Sequence, residues 1–562
     1  MMKKSPELSI LLLFFCVGFL QLSAQTQYSN FKTMSEKIDA LAKQYPSVCS
    51  VRSLIKTPGG KDLWVLTIGT GTKDNKPGIA IVGGVEGSHL LGKELALGFA
   101  GTLLKESSTV EIKGLLDKIT FYVFPDVSPD ATEQFFSKVK YERNFNSVST
   151  DDDKDFVFDE DPYEDLNQDG FITSLRIKDA TGRFIESDED KRIMVEADLS
   201  KGQTGSYLLF TEGIDNDKDD KLNEDGEGGV NFNRNFTFNY EEFGLNSGLH
   251  AVSEPETKAV ADFLFSHFNI YMTIAFGPQD NLGQPLKASE RQPSVLTAGT
   301  EQGPGQGMSR GERPQTGDRR MSAITKSDEI INKLVSDKYH EITGVKGSPV
   351  SKTTAGNFMD WAYFHYGRYS FSTPAWWFPL DKGKNPETAF LMFAEKKKIN
   401  DVFVPWTEFN HPDFPGKKAE IGGIRPFVMI NPPADTLDAM ISNNYRFITV
   451  IAGMHPELEF LDIKTENAGE NIFRVSLSVH NKGIFATCAE VGDINTFTRI
   501  MRISVEPGKG QSLISGVKVQ RIRRLEGDAS AGFSWLISGK GPLNVTAGAL
   551  NTGTITSTIE LK

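Results

Sequence analysis

The chain's 562 residues predict an α/β domain built on a mostly parallel, mixed central sheet flanked by helices, followed by an all-β sandwich. Three observations carry this expectation. Runs at residues 79–85, 119–127 and 270–276 are nearly continuous in apolar residues, as strands covered on both faces require. After the first run, Leu90, Leu91, Leu95, Ala96, Phe99, Leu103 and Leu104 recur at helical spacing, which predicts a helix packed on that sheet. Beyond about residue 455 the pattern becomes short alternating runs such as Phe473–Val479, separated by Gly, Asn and Asp turns, which is the signature of a sandwich.

Taken in chain order, the N-terminus carries Lys3 and Lys4, an apolar stretch from Leu8 to Leu20, and then Leu22-Ser23-Ala24. Residues 1–24 therefore read as a signal peptide, and the protein is expected to be secreted, periplasmic or held at the cell surface. The apolar stretch is shorter than the roughly 20 residues a membrane span needs. No later segment is long enough either, so the chain is not expected to span a membrane. Beyond the leader only Cys49 and Cys488 remain, too few for a disulfide framework, and both are expected to be buried thiols. Lys plus Arg is 61 against 74 Asp plus Glu, a net charge of −13. The acidic excess is concentrated in residues 151–228, which read as one insertion, and this balance argues against a nucleic-acid partner.

Within the insertion, Asp165, Asn167, Asp169 and Gly170 reproduce the opening of a calcium loop, with oxygen ligands at alternate positions and a glycine for the sharp turn. The twelfth place holds Arg176 where an EF-hand has a bidentate glutamate, so further carboxylates have to come from Asp151-x-Asp153-x-Asp155 or Asp215-x-Asp217-x-Asp219. Calcium is the expected ligand of these loops, with a solvated acidic surface as the alternative. Residues 284–325, with Gly303-Pro304-Gly305 and the polar run bearing Arg310, Arg313, Arg319 and Arg320, cannot bury much apolar surface. They read as a mobile loop beside a groove, with a helix after Ser327.

The turn Gly83–His89 follows the first strand run, and Glu86-x-x-His89 sets a carboxylate and an imidazole at its carboxyl end, where sites of open α/β sheets lie. By spacing alone the pair better suits a polar helix start, with Glu86 favoured by the helix dipole. Further segments follow in order: Phe121–Asp130, Asn231-Phe232-Asn233-Arg234-Asn235-Phe236, Ser253–Thr257, Ile270–Phe276, Asn357–Tyr363, Tyr369–Phe371 and Trp406–Gly423. Together they resemble the zinc carboxypeptidase family, metallopeptidases of the carboxypeptidase A/B type, over roughly residues 28–453. The family's His-x-x-Glu is written here as Glu86-x-x-His89, and residues 455–562 form the expected separate sandwich domain.

The resemblance implies a zinc site in a groove at this end of the sheet, and it implies roles residue by residue. Glu86 and His89 fall on two metal ligands. The third ligand, a histidine in the family, falls on Gly277, and the catalytic glutamate falls on Pro374. Neither side chain can do that work. The mobile tyrosine that covers substrate falls near Lys352. Asn233 and Arg234, by contrast, fall on the pair that anchors a peptide's terminal carboxylate, and Arg143 falls on the arginine that polarises the scissile carbonyl. A guanidinium fork grips a carboxylate without help from a metal. Metal-assisted hydrolysis needs both a Lewis acid and a base. The expected function is thus a catalytically impaired homologue that binds C-termini of peptides or peptidoglycan fragments. Two alternatives stand beside it: an active zinc metallocarboxypeptidase with a third ligand from elsewhere, such as Asp280, and a surface adhesive or structural protein resting on the sandwich.

Overall fold

The computed structural model describes residues 27–151, 156–288, 321, 323–350 and 354–562. The 1–24 leader, Asp153, Asp155, Lys352 and the arginine-bearing part of the 284–325 segment lie outside the described residues.

All three apolar runs form strands at the centre of a six-stranded mixed sheet. Gly78–Val82 lies parallel to Thr120–Phe124 on one side and to Ile270–Phe276 on the other, and Tyr369–Thr373 extends the parallel part. Cys49–Lys56 and Asp62–Ile68 close the other edge as antiparallel strands. The central strands are buried on both faces because one face meets Phe99, Leu103 and Ile448 while the other meets Phe236, Phe263 and Trp361. The helix expected from the leucine spacing spans Leu90–Lys105. It also buries Lys93 and Glu94, which the apolar pattern does not explain. Both are held by Ser29: Lys93 Nζ donates to its carbonyl at 2.6 Å, and Glu94 accepts its N–H and hydroxyl.

The acidic insertion is not an isolated loop. Its strand Ser174–Lys178 pairs antiparallel with Ala419–Ile424 and with Tyr207–Thr211, forming a second six-stranded sheet that ties residues 403–424 to the insertion. Arg176, the residue at the twelfth loop position, turns into this sheet and donates from Nε to Glu420 at 2.9 Å.

The C-terminal region is a sandwich of two four-stranded antiparallel sheets. Phe473, Val475, Leu477 and Val479 point inward from Ile472–Asn481 and meet Ile503, Trp535 and Val545, as the alternation predicted. A loop of this region enters the first core: Phe485 is fully buried against Tyr271 and Tyr369, with ring centroids 6.0 and 5.0 Å away. Asp328, at the start of the helix Lys326–Thr343, accepts the N–H groups of Glu490 and Val491. Cys49 and Cys488 are both buried and free, as expected. Among the described residues no helix is long and apolar enough to cross a membrane.

Candidate functional site

The turn after Gly78–Val82 places Glu86 and His89 at the carboxyl end of the parallel strands, where the sequence predicted them. Their side chains engage different partners. Glu86 accepts from Asn231 Nδ2 at Oε1 and from Asn233 Nδ2 at Oε2, each at 3.0 Å. His89 is 5% exposed, and its Nε2 lies 3.0 Å from the carbonyl oxygen of Pro374. A carbonyl only accepts, so Nε2 donates to it. The ring's Nδ1 is buried against the start of the next helix, where a β-carbon at Gly92 would lie 3.2 Å from it.

Burial pushes the His89 imidazole down to about 4, so it is neutral near pH 7. The unfolded imidazole takes up a proton below about 6.5, the folded one resists, and stability is full above that value and lost as pH falls toward 4. The expected loss is about 3 kcal/mol. His89→Asn is predicted to flatten this acid limb, and urea midpoints at pH 7, 5.5 and 4.5 check it. A limb of equal steepness in the variant would rule out His89 as its source.

Gly277 ends the strand Ile270–Phe276, and any β-carbon there would collide with Cγ2 of Val85, itself 1% exposed. The volume of a third ligand is therefore filled by a valine of the motif turn. Pro374 follows the strand Tyr369–Thr373 and is buried, and Ala375 after it has φ 60°, a left-handed conformation that is costly for alanine. This twist accompanies a Pro374 carbonyl aimed at His89 rather than at a groove. Asp280, the candidate substitute ligand, accepts the N–H groups of Gly283 and Gln284 at 2.9 Å and braces that turn. Zinc needs three protein ligands with an open fourth position. The residues present do not fit it: one carboxylate is clamped by two amides, one imidazole faces inward, and the third position admits no side chain.

Asn233 and Arg234, which the resemblance casts as a carboxylate anchor, sit on a short helical turn, Phe232–Arg234, whose N-cap Asn231 accepts from Asn233 N. Asn233 is 1% exposed, and its amide is committed to Glu86, to Gln279 Oε1 at 2.7 Å and to the N–H of Phe358. Its geometry makes it a clamp on Glu86. Arg234 is half-buried and donates once, from Nη1 to the Leu245 carbonyl at 2.6 Å. Among the described residues its guanidinium has no second hydrogen-bond partner. Arg143 is 7% exposed and donates to the carbonyls of Phe145 and Asn146 and to Ser147, so it shapes its own loop. An isolated antiparallel bridge between Phe145 and Asn231 brings the two arginine-bearing segments together.

A cleft of about 1050 Å³ opens between these loops and the insertion, lined in part by Tyr141, Phe145, Tyr163, Glu224, Leu245 and Asn246. Arg234 holds the Leu245 carbonyl at its margin. Across the cleft, Asp165 Oδ1 and Oδ2 accept from the backbone of Asp169 and Gly170, and Asn167 Oδ1 accepts from Asp169 N. Asp215, Asp217 and Asp219 repeat the pattern, and ligand atoms of these three lie within 4.8 Å of one another. The two loops are capped reciprocally. Glu212, just before the second, accepts from Leu166 and Asn167 in the first, while Asp161, just before the first, accepts from Asn216 and Asn223 in the second. Sequence spacing identified both loops but gave no sign of this exchange.

Residues 34–395 match the family model described as zinc carboxypeptidase, and residues 457–560 match one described only as a domain of unknown function. The chain is 28% identical to mouse carboxypeptidase M over 111 residues, 19% of this chain and 25% of that protein. It is 27% identical to carboxypeptidase B of the crayfish Astacus astacus over 112 residues, 20% of this chain and 36% of that protein. These matches thus span about a quarter to a third of the curated relatives' length. Among solved structures it is similar to bovine thrombin-activatable fibrinolysis inhibitor in complex with a tick carboxypeptidase inhibitor, at 15% identity and a TM-score of 0.40, covering 76% of this chain and 97% of that one. With the family model matched over more than half of its length, this chain belongs to the zinc carboxypeptidase family.

Proposed function

We propose that this protein is a secreted, catalytically impaired carboxypeptidase homologue that binds the terminal carboxylate of peptides or peptidoglycan fragments without cleaving them. One contrast carries the reading: Arg234 makes a single hydrogen bond, to the carbonyl of the cleft-lining Leu245, and keeps its other donors open, while Gly277 and Pro374 offer neither a ligand nor a base. Neither the inward-facing, neutral His89 nor the clamped Glu86 is placed to activate water. Arg234 is the carboxylate anchor of this proposal, and Asn233 positions the turn that presents it. Secretion rests on the leader pattern in residues 1–24. The experiment is to incubate the protein with a peptide bearing a free C-terminus, measure its binding, and recover it. Bound and intact peptide is expected. Release of its last residue would reject the reading.

The insertion's paired loops are proposed to take calcium, which accepts six to eight oxygen ligands. Asp165, Asn167 and Asp169 supply one set and Asp215, Asp217 and Asp219 the other. Calcium is then expected to raise the unfolding midpoint of the wild type, and Asp165→Asn with Asp215→Asn to abolish the rise. An equal rise in the double variant would place calcium elsewhere.

A further inference from the structure

The sandwich carries a pocket that the groove does not use. Its volume is about 410 Å³, and it is lined by Arg499, Arg502 and Arg521 together with Thr498, Ile500 and Leu550 along the turn Gly548–Leu550. Among the described residues no carboxylate lines it. Strand register puts two of the arginines face to face: Arg502 in Met501–Glu506 stands directly opposite Arg521 in Val519–Ile522. Like charges directly opposite on neighbouring strands cost stability. All three arginines are exposed, and among the described residues none of their guanidiniums makes a hydrogen bond or ion pair. Arg499 is stacked over the Phe268 ring of the first domain, 3.7 Å from its centroid, which occupies its face and leaves its N–H edge open.

On its other side Arg502 stands opposite Gly548. The backbone there has φ +139°, and a β-carbon would collide with the Gly553 carbonyl, so this position stays bare and the space beside Arg502 stays open. Ile500 and Leu550, 46% and 38% exposed, give the rim an apolar edge. Three unpaired guanidiniums around one hollow, in a chain of net charge −13, offer more donors than a single carboxylate accepts.

We propose that this pocket is an oxyanion site for a phosphoryl group, carried by a ligand whose apolar part lies on Ile500 and Leu550. The phosphoryl group bridges Arg502 and Arg521 and turns their repulsion into shared attraction, with Arg499 completing the ring of donors. The site is independent of the carboxypeptidase-like groove. Two sources supply this chemistry, a soluble phosphate ester and the headgroup of an anionic lipid.

The test uses the full chain and the variant Arg502→Gln with Arg521→Gln. Inorganic phosphate and pyrophosphate are titrated calorimetrically, and vesicles of phosphatidylglycerol or of phosphatidylcholine are used for co-sedimentation. The wild type is expected to bind at least one phosphoryl probe saturably, and the variant to bind it about tenfold more weakly or worse. Without ligand the variant is expected to unfold at the same or a higher temperature, because a repulsive pair has been removed, so weaker binding cannot be ascribed to misfolding. Binding of phosphatidylglycerol but not phosphatidylcholine vesicles assigns the headgroup, and binding of the free ions alone assigns a soluble ester. Absence of saturable binding to any phosphoryl probe, or undiminished binding by the variant, would overturn the proposal.

Discussion

Gly277→Ala is expected to lower the stability of this protein by about 1–3 kcal/mol, the usual cost of forcing extra volume into a packed core. The added methyl would land on Cγ2 of Val85, and the strand ends and backbone that hold both residues are buried. Urea denaturation measures the loss. Val85→Ala on its own should also destabilise, by leaving a void, whereas the double variant should recover much of the Gly277→Ala penalty. Such coupling is what residues in direct contact show. The consequence reaches function: Gly277→His, which restores the family's ligand type, is expected to unfold the turn before it recruits zinc. A Gly277→Ala protein as stable as the wild type would show that the third-ligand position is open after all.

Arg234→Ala is expected to weaken binding of a free C-terminus by about 1.5–3 kcal/mol, the range for a hydrogen bond to a charged group, or roughly ten- to a hundredfold in Kd. The same peptide with an amidated C-terminus should bind the wild type weakly and be little affected by the substitution. Fluorescence anisotropy with the matched pair of peptides reads both comparisons. The specific signature is loss of the difference between the two peptides. Equal affinity of the wild type for both forms would remove Arg234 as the anchor, whatever the variant does.

Most of the architecture could be read from local pattern. The runs at 79–85, 119–127 and 270–276 are strands because continuous apolar residues suit only a sheet covered on both faces, and Phe473–Val479 alternates because one face meets the sandwich core. The motif residues were legible for the same local reason: Glu86, His89, Asn233 and Arg234 lie where strand ends and short turns put them. What escaped were relations across long sequence separations. The amides of Asn231 and Asn233 that clamp Glu86 are 145 and 147 residues away from it. Val85 looks like an ordinary strand-end valine until Gly277 is found beside it. The pairing of Ser174–Lys178 with Ala419–Ile424 makes the acidic insertion part of a sheet, and the opposition of Arg502 and Arg521 depends on a strand register that composition does not encode. In each case local sequence specifies the element and tertiary packing specifies its partner.

On the function proposed above, the cationic grip of Arg234 has outlived the hydrolytic centre of this fold. Metal analysis of the purified full-length protein, equilibrated with zinc and then passed through a desalting column, tests it most directly when the same sample is assayed for release of a C-terminal residue. Far less than one zinc per chain and no chelator-sensitive release are expected. One retained zinc per chain, with cleavage that a chelator abolishes and zinc restores, would contradict it.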